Sequence, residues 1–203
     1  MYVPSTFELD DEDAWAVVRD AGAGVLVVAS PAGLVSVFVP VVVSADRRTM
    51  TTHVAKANPW WRAAESGADV LAVFLAASAY VTPSYYPSRL DDPAVVPTWN
   101  YVAAEVRGRV RVHQESGWKF AQVTDQTSTF EFERRPAWRV DESPRSYVDK
   151  QLKAIVGVEI EVTSIEGKAK LSQNRSLDDR RSVRDNLASG TYLERNVAQR
   201  MDQ

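Results

Sequence analysis

The sequence has no cysteine and only two histidines, His53 and His113, among its 203 residues. The absence of thiols excludes disulfides, thiolate zinc sites and cysteine nucleophiles, and it favours a reducing, cytoplasmic location. Two histidines cannot form a three-histidine metal site, and neither lies in a ligand pair, so no metal site is predicted. A G-x-S-x-G nucleophile elbow is also absent, which argues against a serine hydrolase.

Long apolar runs and a strong charge of either sign are missing as well. The first residues, "MYVPSTFELDDEDAW", lack a basic region followed by an apolar run, so a secretory signal is not expected. No apolar stretch reaches membrane-spanning length, so no membrane partner is expected. The formal net charge of −3 means that contact with nucleic acid would need a local basic patch. Gly22 and Gly24 precede a predicted strand and lack a third glycine, so a dinucleotide fingerprint is rejected.

The sequence is rich in strand patterns. From Gly24 onward, β-branched runs separated by turns at 31–33 and 45–48 predict three successive antiparallel strands. Pro40 cannot donate a ladder hydrogen bond, so its strand should be bulged or at an edge there. The apolar run in "DVLAVFLAASAYVTP" predicts a further strand with both faces covered.

Helices and a long loop are inserted between the strands. Four acidic residues at 10–13 predict an opening helix, and Ser176 with Asp179 resembles a capping box. The segment "SYYPSRLDDPAVVPTW" has three prolines and predicts a loop, whose length favours a binding role. Because strands occur through the whole length, we expect an α+β, β-rich domain around a closed or partly closed β-barrel.

The stretch "TTHVAKANPWW" gathers polar groups where a strand ends. Lys56 supplies a charge, and His53 and Asn58 supply hydrogen-bonding groups that could bind a phosphate. The same groups could equally cap the following helix, and both interpretations remain open at this point.

Two further stretches could contact a planar ring. In "VPTWNY", Thr98 and Asn100 could bind the edge of a heterocycle while the indole of Trp99 covers its face, although a core tryptophan between turn residues is also typical. The run "KLSQNRS" at 170–176 offers amides and cations for a ring or a phosphate, or it is a loop capped by Ser176.

In "EVRGRVRV", strand periodicity places Arg107, Arg109 and Arg111 on one face. This face could attract phosphate or nucleic acid, but a solvated exterior of the sheet is the commoner cause of such a pattern.

Taken together, six strings in this order resemble the PaiB-type FMN-binding negative transcriptional regulators: "MYVPSTF", "HVAKANPWW", "AYVTPSYYP", "VPTWNYV", "RGRVRV" and "YVDKQLKAIVGVEIEVTSIEGKAKLSQNR". The resemblance covers about residues 1–190 and leaves 191–203 as a C-terminal helical tail. It implies a split β-barrel of the pyridoxamine phosphate oxidase type with peripheral helices. It also implies a homodimer with FMN bound in clefts at the subunit interface.

The resemblance also assigns cofactor-binding residues. The segment after the third strand would hold the flavin phosphate, with His53, Ala55, Lys56, Asn58 and Pro59. Thr98, Trp99 and Asn100 would approach the cofactor from the partner subunit, and the C-terminal segment would add Lys170, Ser172, Gln173, Asn174 and Arg175. Trp60 beside Trp61 and the "SRLDDPAVV" loop depart from the pattern of the family.

Two functions follow from these expectations. The first is an FMN-binding repressor of gene expression, with DNA as a candidate partner. No helix-turn-helix is evident, and the best basic patch, Arg180, Arg181 and Arg184, is interleaved with aspartates. The second is a flavin-dependent oxidoreductase or haem-handling enzyme, which the barrel superfamily also includes. No catalytic residue is assigned by the sequence.

Overall fold

A computed structural model describes residues 1–65 and 67–202. The helices are α1 Asp11–Ala21, α2 Trp60–Ala63, α3 Ser116–Glu131, α4 Arg145–Lys153, α5 Leu177–Ala188 and α6 Tyr192–Met201. The strands are β1 Glu8–Leu9, β2 Ala23–Ser30, β3 Gly33–Pro40, β4 Val42–Val43, β5 Thr49–Ala55, β6 Asp69–Val81, β7 Thr98–His113 and β8 Ile155–Lys170. Within these ranges, no helix combines the length and apolarity needed to cross a membrane.

The strands join in the order β3-β2-β6-β7-β8-β5-β4, and β1 pairs with β8. Antiparallel pairing joins β2 to β3 and to β6, and β5 to β4 and to β8. The β-rich α+β class expected from the sequence is therefore observed.

The chain divides into two compact units, each made of separate stretches. The terminal unit comprises Met1–Ala21, Phe74–Glu105 and Glu166–Gln203, and the central unit comprises Gly22–Val73 and Val106–Ile165. The predicted tail at 191–203 contains α6, and its last residue, Gln203, lies outside the described residues.

In the central unit, Pro40 interrupts the strand in which it was expected to form a bulge or an edge. β3 ends at Pro40 and lies at the end of the sheet order, and β4 begins after Val41. The Val41 N–H donates to the carbonyl oxygen of Gly22 at 2.9 Å, one position beyond the Ala23–Pro40 pair of β2 and β3. Pro40 thus marks the point where one predicted strand becomes two.

Strand β5 has one core face and one polar face. Met50, Thr52 and Val54 are buried, whereas Thr51 and His53 alternate with them and are half-buried. Helix α3 contacts β5, and its buried side chains are Lys119 and Gln122. A helix normally buries an apolar stripe, so this polar contact is exceptional.

In the terminal unit, α5 and α6 bury side chains against each other, whereas β6 leaves two large apolar side chains exposed. Helices α5 and α6 pack together with Val183, Leu187 and Val197 fully buried. On β6, Leu75 and Tyr80 stay 57% and 49% exposed. The expectation that both faces of this strand are covered is therefore wrong for the single chain, because no element among the described residues covers Leu75 and Tyr80.

Candidate functional site

The residues assigned from the resemblance fall into two sets, one in each unit. His53, Ala55, Lys56, Asn58 and Pro59 belong to the central unit, and the other assigned residues belong to the terminal unit.

In the central unit, the backbone after β5 is held in place by hydrogen bonds. The Lys56 N–H donates to the carbonyl oxygen of Ala154 at 2.8 Å, and the carbonyl oxygen of Lys56 accepts from the Trp61 indole at 3.0 Å. Asn58 Oδ1 accepts from the Trp60 N–H at 3.0 Å, an Asx turn just before α2, so this side chain serves the local backbone although the N-cap of the helix is Pro59. Ala55 ends β5 and is exposed.

The side chain of Lys56 is exposed, and it makes no ion pair within the part of the chain that the structure describes. Its positive charge adds to that of Lys119, whose pKa is lowered by burial and then by the charge of Lys56. Two neighbouring ammonium groups create a positive potential of the kind that attracts an anion.

Lys119 was not predicted from the sequence. It is 6% exposed, and its ammonium donates to the carbonyl oxygens of Leu152 and Ile155 at 2.6 and 3.3 Å. The Leu152 carbonyl lies in the last turn of α4, where helix geometry leaves acceptors without partners, and Ile155 is the first residue of β8. The buried ammonium therefore has hydrogen-bond acceptors within the chain as well as the charge of Lys56 acting on it.

Gln122 was also missed, and it contacts an assigned residue. Its Oε1 lies 2.9 Å from Nδ1 of His53, and its Nε2 donates to Oε1 of Gln126 at 2.9 Å. Gln122 is 5% exposed. Lys119, Gln122 and Gln126 have the spacing of residues that share one face of α3. This spacing is the only feature of the sequence that could have shown that the three side chains lie together.

In the terminal unit, Lys170 joins two of the predicted stretches. Its ammonium donates to Oγ1 of Thr98 at 2.6 Å and to the carbonyl oxygen of Trp99 at 2.9 Å. Burial lowers the pKa of Lys170, and the charges of Lys168 and Arg175 lower it further. The structure thus brings Thr98, Trp99 and Lys170 together.

Asn100 and Ser172 form a buried pair. The Asn100 Nδ2 lies 3.0 Å from Oγ of Ser172, and Ser172 has a positive φ of 65°. Such a conformation is uncommon outside glycine, so the hydrogen bond helps to fix a turn that costs backbone energy. Asn100 is fully buried, which gives this residue a structural role within the chain.

The rest of the "KLSQNRS" stretch is divided between internal contacts and solvent. Gln173 accepts from the Leu171 N–H and donates to the carbonyl oxygen of Ala169, each at 2.7 Å. Arg175 lies over the ring of Tyr86 at 4.5 Å, and Asn174 is exposed. Gln173 and Arg175 therefore stabilise the protein itself before any ligand binds.

Trp99 presents an aromatic surface. Its side chain is 51% exposed, and its ring meets that of Tyr80 edge-on at a centroid distance of 6.0 Å. It is therefore not the core tryptophan of the alternative interpretation. An exposed, laterally supported indole can cover a planar ligand.

The three arginines of β7 are exposed on one face, as predicted. Arg109 lies 3.8 Å from Asp69, and Arg111 lies 3.1 Å from Glu159. The cleft beside them, about 400 Å³ in volume, is also lined by Glu65 and Glu161. This mixture of charges fits a solvated exterior better than a site for an anion.

A family model described as "Putative FMN-binding domain" matches residues 1–164. The protein named Protease synthase and sporulation protein PAI 2 of Bacillus subtilis is 30% identical over 190 residues, which cover 92% of this chain and 89% of the relative. The chain belongs to this FMN-binding family. The resemblance stated from the sequence is thus confirmed, and the family supports FMN as the cofactor. A further relative, the uncharacterized protein AN0679 of Emericella nidulans, is 36% identical over 116 residues, which cover 51% of this chain and 45% of the relative.

Solved structures confirm the fold class, an α+β split β-barrel with peripheral helices. The FAD and haem binding protein of Mycobacterium smegmatis superposes with a TM-score of 0.62 at 16% identity, covering 91% of this chain and 80% of the other. The flavocytochrome Anf3 of Azotobacter vinelandii gives a TM-score of 0.59 at 11% identity, covering 79% and 67%. At these identities the likeness concerns the fold alone.

The side chains present fit the chemistry of FMN in part. Lys56 offers an exposed ammonium for a phosphate, and Trp99 offers an aromatic face. Asn100 and Gln173 already use hydrogen-bonding atoms inside the chain. These side chains thus suit the phosphate and the face of the flavin ring. They suit the ring edge less well, because the two amides that could bind it are already hydrogen-bonded within the chain.

Proposed function

We propose that this protein binds FMN between two copies of the chain and acts as a negative regulator of gene expression. The observation that carries the flavin site is the exposed Lys56 ammonium, which has no ion-pair partner in the described residues and lies in the field of the buried Lys119. A dianionic phosphate would neutralise this charge, and membership of the FMN-binding family identifies FMN as the ligand that carries the phosphate.

The homodimer is supported by uncovered apolar surface in the terminal unit. Leu75, Tyr80 and Trp99 are each about half exposed or more. A second copy or a flavin ring would remove this surface from water, and each square ångström removed is worth about 25 cal/mol. In the dimer we propose, Trp99 covers a flavin whose phosphate lies at Lys56 of the partner subunit.

Bound FMN would supply a ring able to accept and release electrons. In the proposal, this chain's contribution is to hold the phosphate with Lys56, to cover the ring with Trp99 and to keep Lys170 beside Thr98. No described residue is assigned to acid–base chemistry, so the proposal does not include a reaction.

The regulatory part of the proposal comes from the family resemblance. The basic patch on α5 is largely neutralised within the chain: Arg184 lies 2.6 Å from Asp185 and 3.2 Å from Asp202, and Arg180 donates to the carbonyl oxygen of Met201. Only Arg181 of this patch is both exposed and without an ion pair in the described ranges. Direct reading of DNA by α5 is therefore not part of the proposal.

The test begins with the purified full chain. We expect a yellow protein with a flavin absorbance spectrum, FMN as the molecule released on denaturation, and a dimer by light scattering. A colourless monomer that does not take up added FMN would refute the proposal. Anaerobic addition of NADH or NADPH then separates the functions, because rapid bleaching of the flavin would replace the regulatory role with a flavin-dependent oxidoreductase.

A further inference from the structure

His53 lies on the polar face of β5, beside α3, and its ring is held by a neighbour. Nδ1 of His53 is 2.9 Å from Oε1 of Gln122. Gln122 is almost fully buried, and its amide nitrogen is used by Oε1 of Gln126 at 2.9 Å. The oxygen end of the Gln122 amide is therefore the end that faces the imidazole.

With the Gln122 oxygen facing the ring, the tautomer of His53 that can form this hydrogen bond is the one with hydrogen on Nδ1. An amide oxygen only accepts hydrogen bonds, so Nδ1 must carry the hydrogen in order to bond to Gln122. In the neutral imidazole the other nitrogen, Nε2, then carries the lone pair. Nε2 of His53 has no hydrogen-bond partner in the described residues, so its lone pair is available to a ligand.

We propose that Gln122 is a positioning residue that makes His53 a hydrogen-bond acceptor for a hydroxyl or N–H group of the flavin. The inference rests on the proposed FMN site and changes the role of one residue in it. A phosphate dianion has no hydrogen to donate, so an Nε2 that carries a lone pair cannot accept a hydrogen bond from it. The flavin's ribityl hydroxyls and ring N–H are the donors that Nε2 can accept from, and the phosphate is left to Lys56.

The tautomer can be measured without ligand. In the apo protein labelled with 15N, we expect the His53 nitrogen shifts at pH 8 to report hydrogen on Nδ1. In Gln122→Met, which keeps the length of the side chain but removes the acceptor, the hydrogen should move mainly to Nε2. Thr124→Ala, an exposed change on the same helix, should leave the His53 shifts unchanged. Hydrogen on Nε2 in the wild-type chain would overturn the inference.

The ligand contact is tested with FMN and riboflavin, which share the ring and the ribityl chain and differ in the phosphate. His53→Ala should weaken both ligands by a similar factor of about ten, whereas Lys56→Ala should weaken FMN by about ten- to a hundredfold and leave riboflavin unchanged. Gln122→Met should behave like His53→Ala. A loss of affinity in His53→Ala that is confined to FMN would return His53 to the phosphate and refute the inference.

The two proposals fail in different ways. If the wild-type chain binds neither flavin, the proposed function is refuted, and the flavin contact of His53 is refuted with it. If the chain binds FMN but His53 carries its hydrogen on Nε2, only the present inference is refuted. Thermal unfolding of each variant identifies any loss of affinity that comes from misfolding.

Discussion

The Lys119 ammonium lies 2.6 Å from the backbone carbonyl oxygen of Leu152, so a side chain of α3 caps the end of α4. A second carbonyl, that of Ile155, lies 3.3 Å from the same ammonium. Helix ends leave their last carbonyls without backbone partners, and a cation there also opposes the negative end of the helix dipole. Lys119 thus stabilises the junction between α4 and β8.

Replacing Lys119 by methionine should lower the free energy of unfolding by about 1–3 kcal/mol, because buried carbonyl oxygens lose their donor. Chemical denaturation measures this value. The control is Lys150→Met, an exposed lysine on α4, which should change stability by no more than about 0.5 kcal/mol. Equal effects of the two changes would contradict the capping role.

The same lysine should give the protein a pH-dependent stability. Burial and then the charge of Lys56 hold the pKa of Lys119 below its ordinary value of 10.5. The unfolded chain therefore binds this proton more tightly, and stability should rise with pH between the lowered pKa and 10.5. Other groups titrate in this window, so the comparison is wild type against Lys119→Met. The free energy of unfolding should rise less with pH in the variant than in wild type. Parallel plots of unfolding free energy against pH for the two proteins would contradict this prediction.

Gly157 allows α3 to pack closely on β8. A Cβ at Gly157 would collide with the ring of Trp118, which stacks on His113 with a centroid distance of 4.0 Å and an angle of 4° between planes. Gly157→Ala should therefore lower the free energy of unfolding by about 1–3 kcal/mol. Gly117→Ala, one residue before Trp118, meets nothing within 4 Å and should not destabilise. If Gly157→Ala did not change the thermal stability, the ring of Trp118 would be able to move aside.

The strands could be predicted from the sequence because their signal is local. Alternation along β5, β7 and β8 and the exposed row of Arg107, Arg109 and Arg111 depend only on the period of a strand. Lys119 and Gln122 could not be recognised in this way. Their side chains resemble those of a solvated helix face, and only the tertiary contact with β5 and the end of α4 buries them.

The predicted capping box at the start of α5 also shows that a local pattern does not reveal tertiary contacts. Ser176 Oγ accepts from the Asp179 N–H at 3.2 Å, as the local pattern predicts. The reciprocal bond of a capping box, from the Ser176 N–H to the Asp179 carboxylate, is not formed in the described part of the chain. The carboxylate accepts from the N–H and the hydroxyl of Ser88, at 3.0 and 2.7 Å, and so it anchors the proline-rich loop. A partner 91 residues away cannot be inferred from a four-residue pattern.

The contact between Asp179 and Ser88 should affect the stability of the protein and the hydrogen exchange of the loop. Asp179→Ala should lower the free energy of unfolding by about 1–3 kcal/mol and should speed hydrogen exchange at the Ser88 amide, because that donor loses its acceptor. Asp178→Ala, the exposed neighbouring change, should cost no more than about 1 kcal/mol and should leave the Ser88 amide protected.

The pH dependence of the anchor follows from the same bonds. Burial acts to raise the pKa of the Asp179 carboxyl, but the hydrogen bonds from Ser88 and Ser176 and the charge of Arg175 together outweigh it and hold the pKa below the ordinary value of 3.8. The stabilisation is therefore complete above pH 3.8 and is lost as the pH falls through the folded-state pKa. In wild type, exchange at Ser88 should approach that of Asp179→Ala only in this acid range, after correction for the intrinsic rate. Protection at Ser88 that is the same in both chains at pH 6 would show that the loop is held by other contacts.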